Sequence, residues 1–216
     1  MGHSLGGNFA YIFLKSQSLQ WKQKYIRALF TIATPFGGTF KYLYDYLLHD
    51  DYPADMFPIV RTAERTYSGM SFLLPKPLVF KNSILISTPE FNYTSDTYEK
   101  FFNKIKHSFA YQMYLDANEN YKDLQHPGVD VVCIGGLGYR TLRGLVYSTN
   151  NFSSKPKVVY GNGDQFVNQE SLKACKIWRK TESFTFKFKV IRSDHLSIIK
   201  SNAALEVITE SIKELN

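Results

Sequence analysis

The chain opens with Met1 followed by Gly2-His3-Ser4-Leu5-Gly6. Gly-x-Ser-x-Gly ahead of a helix-like stretch is the pattern of a serine carried on a sharp strand-to-helix turn, where its hydroxyl can serve as a nucleophile. A serine hydroxyl attacks a carbonyl well only when a base removes its proton and a third group orients that base. The sequence must therefore supply a histidine and an acid. Of the histidines at 49, 107, 126 and 195, only His195 falls between a strand end and a following helix, the loop position a base needs. Asp164 leaves a strand through Gly161-Asn162-Gly163, a turn that can aim a carboxylate. Asp194 adjoins His195 and would struggle to reach round to that imidazole. Asp130 sits at the opening of a strand, a structural position.

Each piece also has a plainer reading. Gly-x-Ser-x-Gly arises by chance, a lone histidine is more often a surface residue, and Asp fills Gly-rich turns on its own account. What favours a Ser4–Asp164–His195 triad is joint occurrence, in the chain order of the α/β-hydrolases, with each piece at a strand exit.

The elements that must hold these residues can be read from periodicity. Asn8 to Ser18 reads as a helix with Phe9, Ile12 and Phe13 on one side. Ala28–Ala33, closed by Thr34-Pro-Phe-Gly-Gly38, reads as a buried strand. From Thr39 to about Pro89 the pattern turns irregular and rich in Tyr, Pro and Asp, with a helix at 39–48 and a strand at 84–86. Such an excursion inside an α/β alternation is expected to be a cap or lid. Helices follow at 96–106 and 108–118, then strands at 129–134 and 157–160. Residues 184–190 alternate strictly, as a strand with one solvated face does, and the last helix runs over 196–215. Strands alternating with helices predict a mostly parallel α/β sheet. No strand is expected before the elbow, because only Met1 precedes Gly2.

With 216 residues, 44% hydrophobic and 16% aromatic, the chain has the makings of one well-packed domain. The net charge of +7 comes from Lys and Arg scattered along the chain rather than clustered. No nucleic-acid motif accompanies them, so a nucleic-acid partner is not expected. Neither a metal site nor a cofactor is suggested by the Cys and His spacing. No apolar run approaches the ~20 residues of a membrane span. Sequons at Asn92 and Asn151, with two cysteines at 133 and 175, point toward an oxidising, secretory route. Two buried free thiols remain the alternative to a bridge.

Longer stretches resemble one family. Gly2–Gly6, Trp21-Lys-Gln-Lys-Tyr-Ile26, Thr34–Gly38, Ile86-Ser-Thr-Pro-Glu-Phe-Asn-Tyr-Thr94 and Phe101-Phe102 are similar to the lecithin:cholesterol acyltransferase family, which includes the lysosomal phospholipase A/acyltransferases. So are Pro127-Gly-Val129, Tyr160-Gly-Asn-Gly-Asp-Gln-Phe-Val167, Cys175-Lys-Ile-Trp178 and His195-Leu196. The resemblance implies an α/β-hydrolase fold, incomplete because the family's strands before the nucleophile elbow are not in the chain. It implies Ser4 as nucleophile, Asp164 as orienting acid, His195 as base, the Leu5 N–H as one oxyanion donor, a Cys133–Cys175 disulfide and glycosylation at Asn92. The implied substrate is a glycerophospholipid at a membrane or lipoprotein surface, with water or a lipid alcohol as acyl acceptor, in the lysosome or outside the cell.

Phe36 departs from the family's usual Trp, and Gln165-Phe166 from a small residue and Thr, which could alter the acyl pocket and the acid loop. With one oxyanion donor and no elbow strand, residues 1–216 alone are expected to be inactive or weakly active. The competing readings are a neutral-lipid esterase on the same fold and a non-catalytic truncated interaction protein.

Overall fold

A computed structural model describes residues 1–48, 56–121, 123–181 and 183–215. His49 lies outside the described residues. In chain order the elements are β1 (Gly2–His3), α1 (Leu5–Ser16), α2 (Leu19–Tyr25), β2 (Ala28–Ile32), α3 (Phe40–Leu47), α4 (Phe57–Glu64), α5 (Ser68–Phe72), α6 (Pro77–Phe80) and β3 (Ile86–Ser87). They continue with β4 (Asn92–Tyr93), α7 (Tyr98–Lys104), α8 (Phe109–Asn118), β5 (Asp130–Leu137), β6 (Tyr139–Val146), β7 (Lys157–Gly163), α9 (Gln169–Leu172), β8 (Phe186–Arg192) and α10 (Asn202–Leu215). Two compact units result. One comprises Met1–Phe36, Asp123–Thr141 and Asn162–Asn216; the other comprises Gly37–Lys122 and Leu142–Gly161.

The first unit carries a four-stranded sheet in the order β1-β2-β5-β8, parallel throughout. Leu29–Ile32 and Val131–Gly136 are buried, as the continuous apolar runs of covered parallel strands should be. The core joins Phe30, Ile32, Val132 and Ile134 to Val167, Leu172, Ile198 and Ala204. β1 corrects the expectation that no strand leads into the elbow. Gly2 and His3 pair with Thr31 and Ile32, and the ladder ends where Ser4 N–H donates to the Ile32 carbonyl, 2.9 Å away.

The buried face of α1 is also not the expected one. Phe9 and Phe13 are 62% and 51% exposed, while Tyr11 and Leu14 are 0% and 4%. The reason is close approach: a Cβ on Gly7 would lie 1.9 Å from Thr34 Oγ1, so the helix meets the sheet on its Gly7 face and turns Tyr11 and Leu14 inward. On the outer side Phe13 meets Trp21 edge to face at 5.6 Å, and Trp21 lies 5.1 Å from Tyr25.

The second unit takes in the 39–89 stretch and continues beyond it. Its sheet runs β4-β3-β6-β7, with β3 antiparallel to β4 and parallel to β6. The stretch that reads as irregular contains three short helices, α4 to α6. An aromatic core of Phe40, Tyr46, Phe80, Phe101 and Phe102 fills the unit. At the C-terminus the expected helix over 196–215 is broken at Ser201 into a 3₁₀ turn, Ser197–Lys200, and α10. Among the described residues, no helix is long and apolar enough to cross a membrane.

Candidate active site

Ser4 stands between β1 and α1 with φ 51° and ψ −130°, a backbone conformation a non-glycine residue holds only when its surroundings enforce it. The ladder bond to Ile32 fixes one side of Ser4, and Gly7 N–H donating to the Ser4 carbonyl at 3.0 Å fixes the other. Leu5 is the first residue of α1, so its N–H is among those an α-helix leaves without an intrahelical acceptor.

Asp164 follows β7 directly and is fully buried. Its Oδ1 accepts from Phe166 N–H at 3.0 Å and Val167 N–H at 2.6 Å, leaving Oδ2 to face outward from the turn. Gln165 N–H donates to Thr141 Oγ1 at 3.0 Å, pinning the loop from behind. Gly136 on β5 makes room for the acid: a Cβ there would lie 2.8 Å from the Ser193 carbonyl and 3.1 Å from Asp164 Cβ.

His195, 7% exposed, is held by its backbone as well as its ring. Its N–H donates to the Asp164 carbonyl at 2.8 Å, and its own carbonyl accepts from His3 Nε2 at 2.8 Å. The ring spans the other two residues: Nδ1 is 2.8 Å from Asp164 Oδ2 and Nε2 is 2.9 Å from Ser4 Oγ. A carboxylate can only accept, so Nδ1 carries the proton and Nε2 is left as an acceptor for the serine hydroxyl. Three side chains at 4, 164 and 195 thus form one continuous chain of hydrogen bonds.

The other residues singled out from sequence fall elsewhere. Asp194 Oδ1 accepts from Leu196 and Ser197 N–H, capping the turn after it rather than reaching the imidazole. Asp130 pairs with Arg27 Nη1 at 2.6 Å and accepts from Thr185 N–H. His107 bonds Tyr46, and His126 accepts from Gly128 N–H while stacking on Phe184. Phe36 is 1% exposed and packs edge-on against Tyr11 and Trp178. Asn92 and Asn151 are both exposed.

Cys133 and Cys175 are free thiols here, where the resemblance implies a bridge. Both are buried and they interact: burial first, then the hydrogen bond with Cys133, pushes the Cys175 thiol well above its ordinary pKa. The residues that sequence reading missed are His3 and Phe166, whose rings lie 5.0 and 5.2 Å from that of His195. His3 could have been suspected from its place beside Ser4. Phe166 stood out as a departure, but its target could not be seen.

The lecithin:cholesterol acyltransferase family model matches residues 1–125 and 111–209. Among curated relatives, the chain is 33% identical over 224 residues to the lecithin-cholesterol acyltransferase-like 1 protein of Arabidopsis thaliana, covering 100% of this chain and 50% of that protein. It is 30% identical to the phosphatidylcholine-sterol acyltransferase of Gallus gallus (95% of this chain, 51% of that protein). To the human lysosomal phospholipase A and acyltransferase it is 28% identical (95% and 50%). The chain spans about half the length of the curated relatives it matches.

Proposed function

The chain belongs to the lecithin:cholesterol acyltransferase family, and from that premise we propose that Ser4, His195 and Asp164 transfer an acyl group from a glycerophospholipid ester through an acyl-enzyme. The observation that carries the reading is the pair of contacts on the His195 ring, one to Ser4 Oγ and one to Asp164 Oδ2.

In the proposed reaction Ser4 Oγ bonds to the ester carbonyl carbon as its proton passes to His195 Nε2. Asp164 keeps Nδ1–H in place and offsets the positive charge that forms on the ring. The carbonyl oxygen, now negative, takes a hydrogen bond from Leu5 N–H. Collapse breaks the ester C–O bond, and the departing lysophospholipid oxygen takes the proton from His195. Water or a lipid alcohol then gives its proton to His195 and attacks the acyl carbon. The Ser4 ester bond breaks, and the proton returns to Oγ. Fatty acid leaves in the first case and a new ester in the second.

The excursion over 39–89 is proposed as a cap or lid. Glycosylation at Asn92 and Asn151 and oxidation of the neighbouring Cys133 and Cys175 thiols are proposed with it, as for a protein of the secretory route. The substrate would be met at a membrane or lipoprotein surface.

The test is chemical. A fluorophosphonate probe should label Ser4, identified by peptide mass spectrometry, and the label should vanish in His195→Ala. With phosphatidylcholine vesicles, lysophospholipid and fatty acid should appear and a Ser4-acyl peptide should be trapped on acid quench. Product formation that persists in Ser4→Ala would overturn the proposal.

A further inference from the structure

Within the second unit lies a cavity of about 340 Å³, within the range of small-molecule pockets, roughly 300–1,000 Å³. Its wall is mostly apolar and aromatic, including Leu78, Tyr98, Tyr111, Tyr114 and Leu115. Lys76 reaches it from the loop before α6 and is 4% exposed.

The lysine is oddly provided for. Its Nζ donates to the Phe72 carbonyl at the end of α5 and to Asn118 Oδ1 at the end of α8. Asn118 is oriented for this, because its Nδ2 donates to the Tyr114 carbonyl at 2.9 Å. The rings of Phe72 and Tyr121 lie 4.2 and 5.0 Å from Nζ. Among the described residues no carboxylate pairs with it, and an ammonium has three N–H groups, of which these bonds use two. Burial alone pushes its pKa down to about 7. On the same wall the Ser95 hydroxyl is buried with no hydrogen-bond partner among the described residues, a condition buried polar groups seldom tolerate.

An uncompensated cation, an unsatisfied hydroxyl and an apolar wall ask for one kind of guest. We infer that this cavity binds a free fatty acid, its carboxylate on Lys76 Nζ and Ser95 Oγ and its alkyl chain running out between Leu78 and Leu115. Those two leucines are 43% and 38% exposed, which marks the open end. Asp96 also lines the cavity, exposed to solvent. Its negative charge disfavours a dianion, so a carboxylate suits the site better than a phosphate monoester. The phenol of Tyr98 is already committed, donating to the Pro75 carbonyl at 2.9 Å.

The inference rests on the lipid-ester reading only in one respect: it makes the ligand a product of the chain's own hydrolysis. Binding itself is independent of turnover and is measured on the Ser4→Ala chain, so that no ester chemistry intervenes. Isothermal titration with decanoate should give one site. Lys76→Met should weaken decanoate by about tenfold or more, the scale of a lost charge-assisted hydrogen bond, while decanol binding changes little. Decyl phosphate should bind more weakly than decanoate. Leu115→Trp, at the open end and outside the buried core, should weaken decanoate and decanol alike, which keeps the test alive should Lys76→Met fail to fold.

Decanoate affinity unchanged in Leu115→Trp, or decanol affected by Lys76→Met as strongly as decanoate, would overturn the site. If the wild-type chain turns over esters while decanoate fails to bind, the site falls and the catalytic reading stands. Decanoate held at Lys76 with no Ser4-dependent chemistry would leave the site standing and remove the catalytic reading.

Discussion

Phe166 lies against the imidazole of His195, with ring centroids 5.2 Å apart and planes 21° from parallel. On the same ring His3 packs at 5.0 Å, tilted by 42°. The His195 ring is therefore steadied by two aromatic neighbours as well as by its hydrogen bonds. Aromatic contacts of this kind are worth about 0.5–1.5 kcal/mol beyond area burial, so Phe166→Ala should lower kcat by roughly 2- to 10-fold. Phe166→Tyr should retain most of the rate. Steady-state kinetics on a soluble ester decide it, and an unaltered kcat in the alanine variant would remove Phe166 from the site's support.

Asp164→Asn tests the tautomer. Asn Oδ1 can still accept from Phe166 and Val167 N–H, so the loop should keep its shape. Its amide would then point N–H at Nδ1 of His195, forcing the ring proton onto Nε2, where it cannot take the serine proton. A fall in kcat of about 10³–10⁴-fold is expected with little change in thermal midpoint. A loss below tenfold would mean that the buried carboxylate does not set the ring.

The glycines after Ser4 are not equivalent. A Cβ on Gly6 would meet nothing within 4 Å, whereas one on Gly7 would collide with Thr34. Gly6→Ala should gain about 0.5–1 kcal/mol from better helix propensity. Gly7→Ala should cost about 1–3 kcal/mol by overpacking. Urea denaturation of both variants checks the contrast, and equal midpoints would refute it.

Gln165 sits at φ 79°, where a side chain is strained. Gln165→Gly should relieve on the order of 1 kcal/mol and raise the thermal midpoint without changing the Asp164 geometry. A lower midpoint would show that the Gln side chain contributes more than its backbone strain removes.

Cys133 and Cys175 lie 42 positions apart, and closing that loop covalently stabilises by roughly 4 kcal/mol in the chain-entropy model. Protein from an oxidising compartment is expected to show no alkylation of either thiol after denaturation, and reduction should lower its urea midpoint. Full alkylation of both without reductant would exclude the bridge.

The site was more legible in the sequence than the surroundings that hold it. Ser4, Asp164 and His195, which hydrogen bonds join in the structure, could be singled out because a nucleophile, a base and an acid need particular residue types, a chain order and strand exits, all visible in one dimension. The orientation of α1 was hidden, since Phe9, Ile12 and Phe13 make a convincing apolar stripe. What overrides it is the close approach of Gly7 to Thr34, a tertiary fact. Helices α4 to α6 escaped because they have four to eight residues each, too few for a 3.6-residue period to emerge. β6 carries Arg140, Arg143 and Gly144 among its apolar residues and lacks a clean alternation. The contacts of Phe166 and His3 with His195 bridge 29 and 192 positions, and no local signal reports them.

The all-parallel order β1-β2-β5-β8 has a kinetic consequence. Parallel neighbours cannot be joined by a tight hairpin, so every pairing in this sheet waits on a long excursion of chain. Ala28 meets Asp130, and Ser4 meets His195 from 191 positions away. During renaturation, helical ellipticity should return well before the parallel ladder forms and Ser4 meets His195, because sequence-distant pairings mature slowly. A ribosome, likewise, must synthesise through His195 before Ser4 can meet that imidazole.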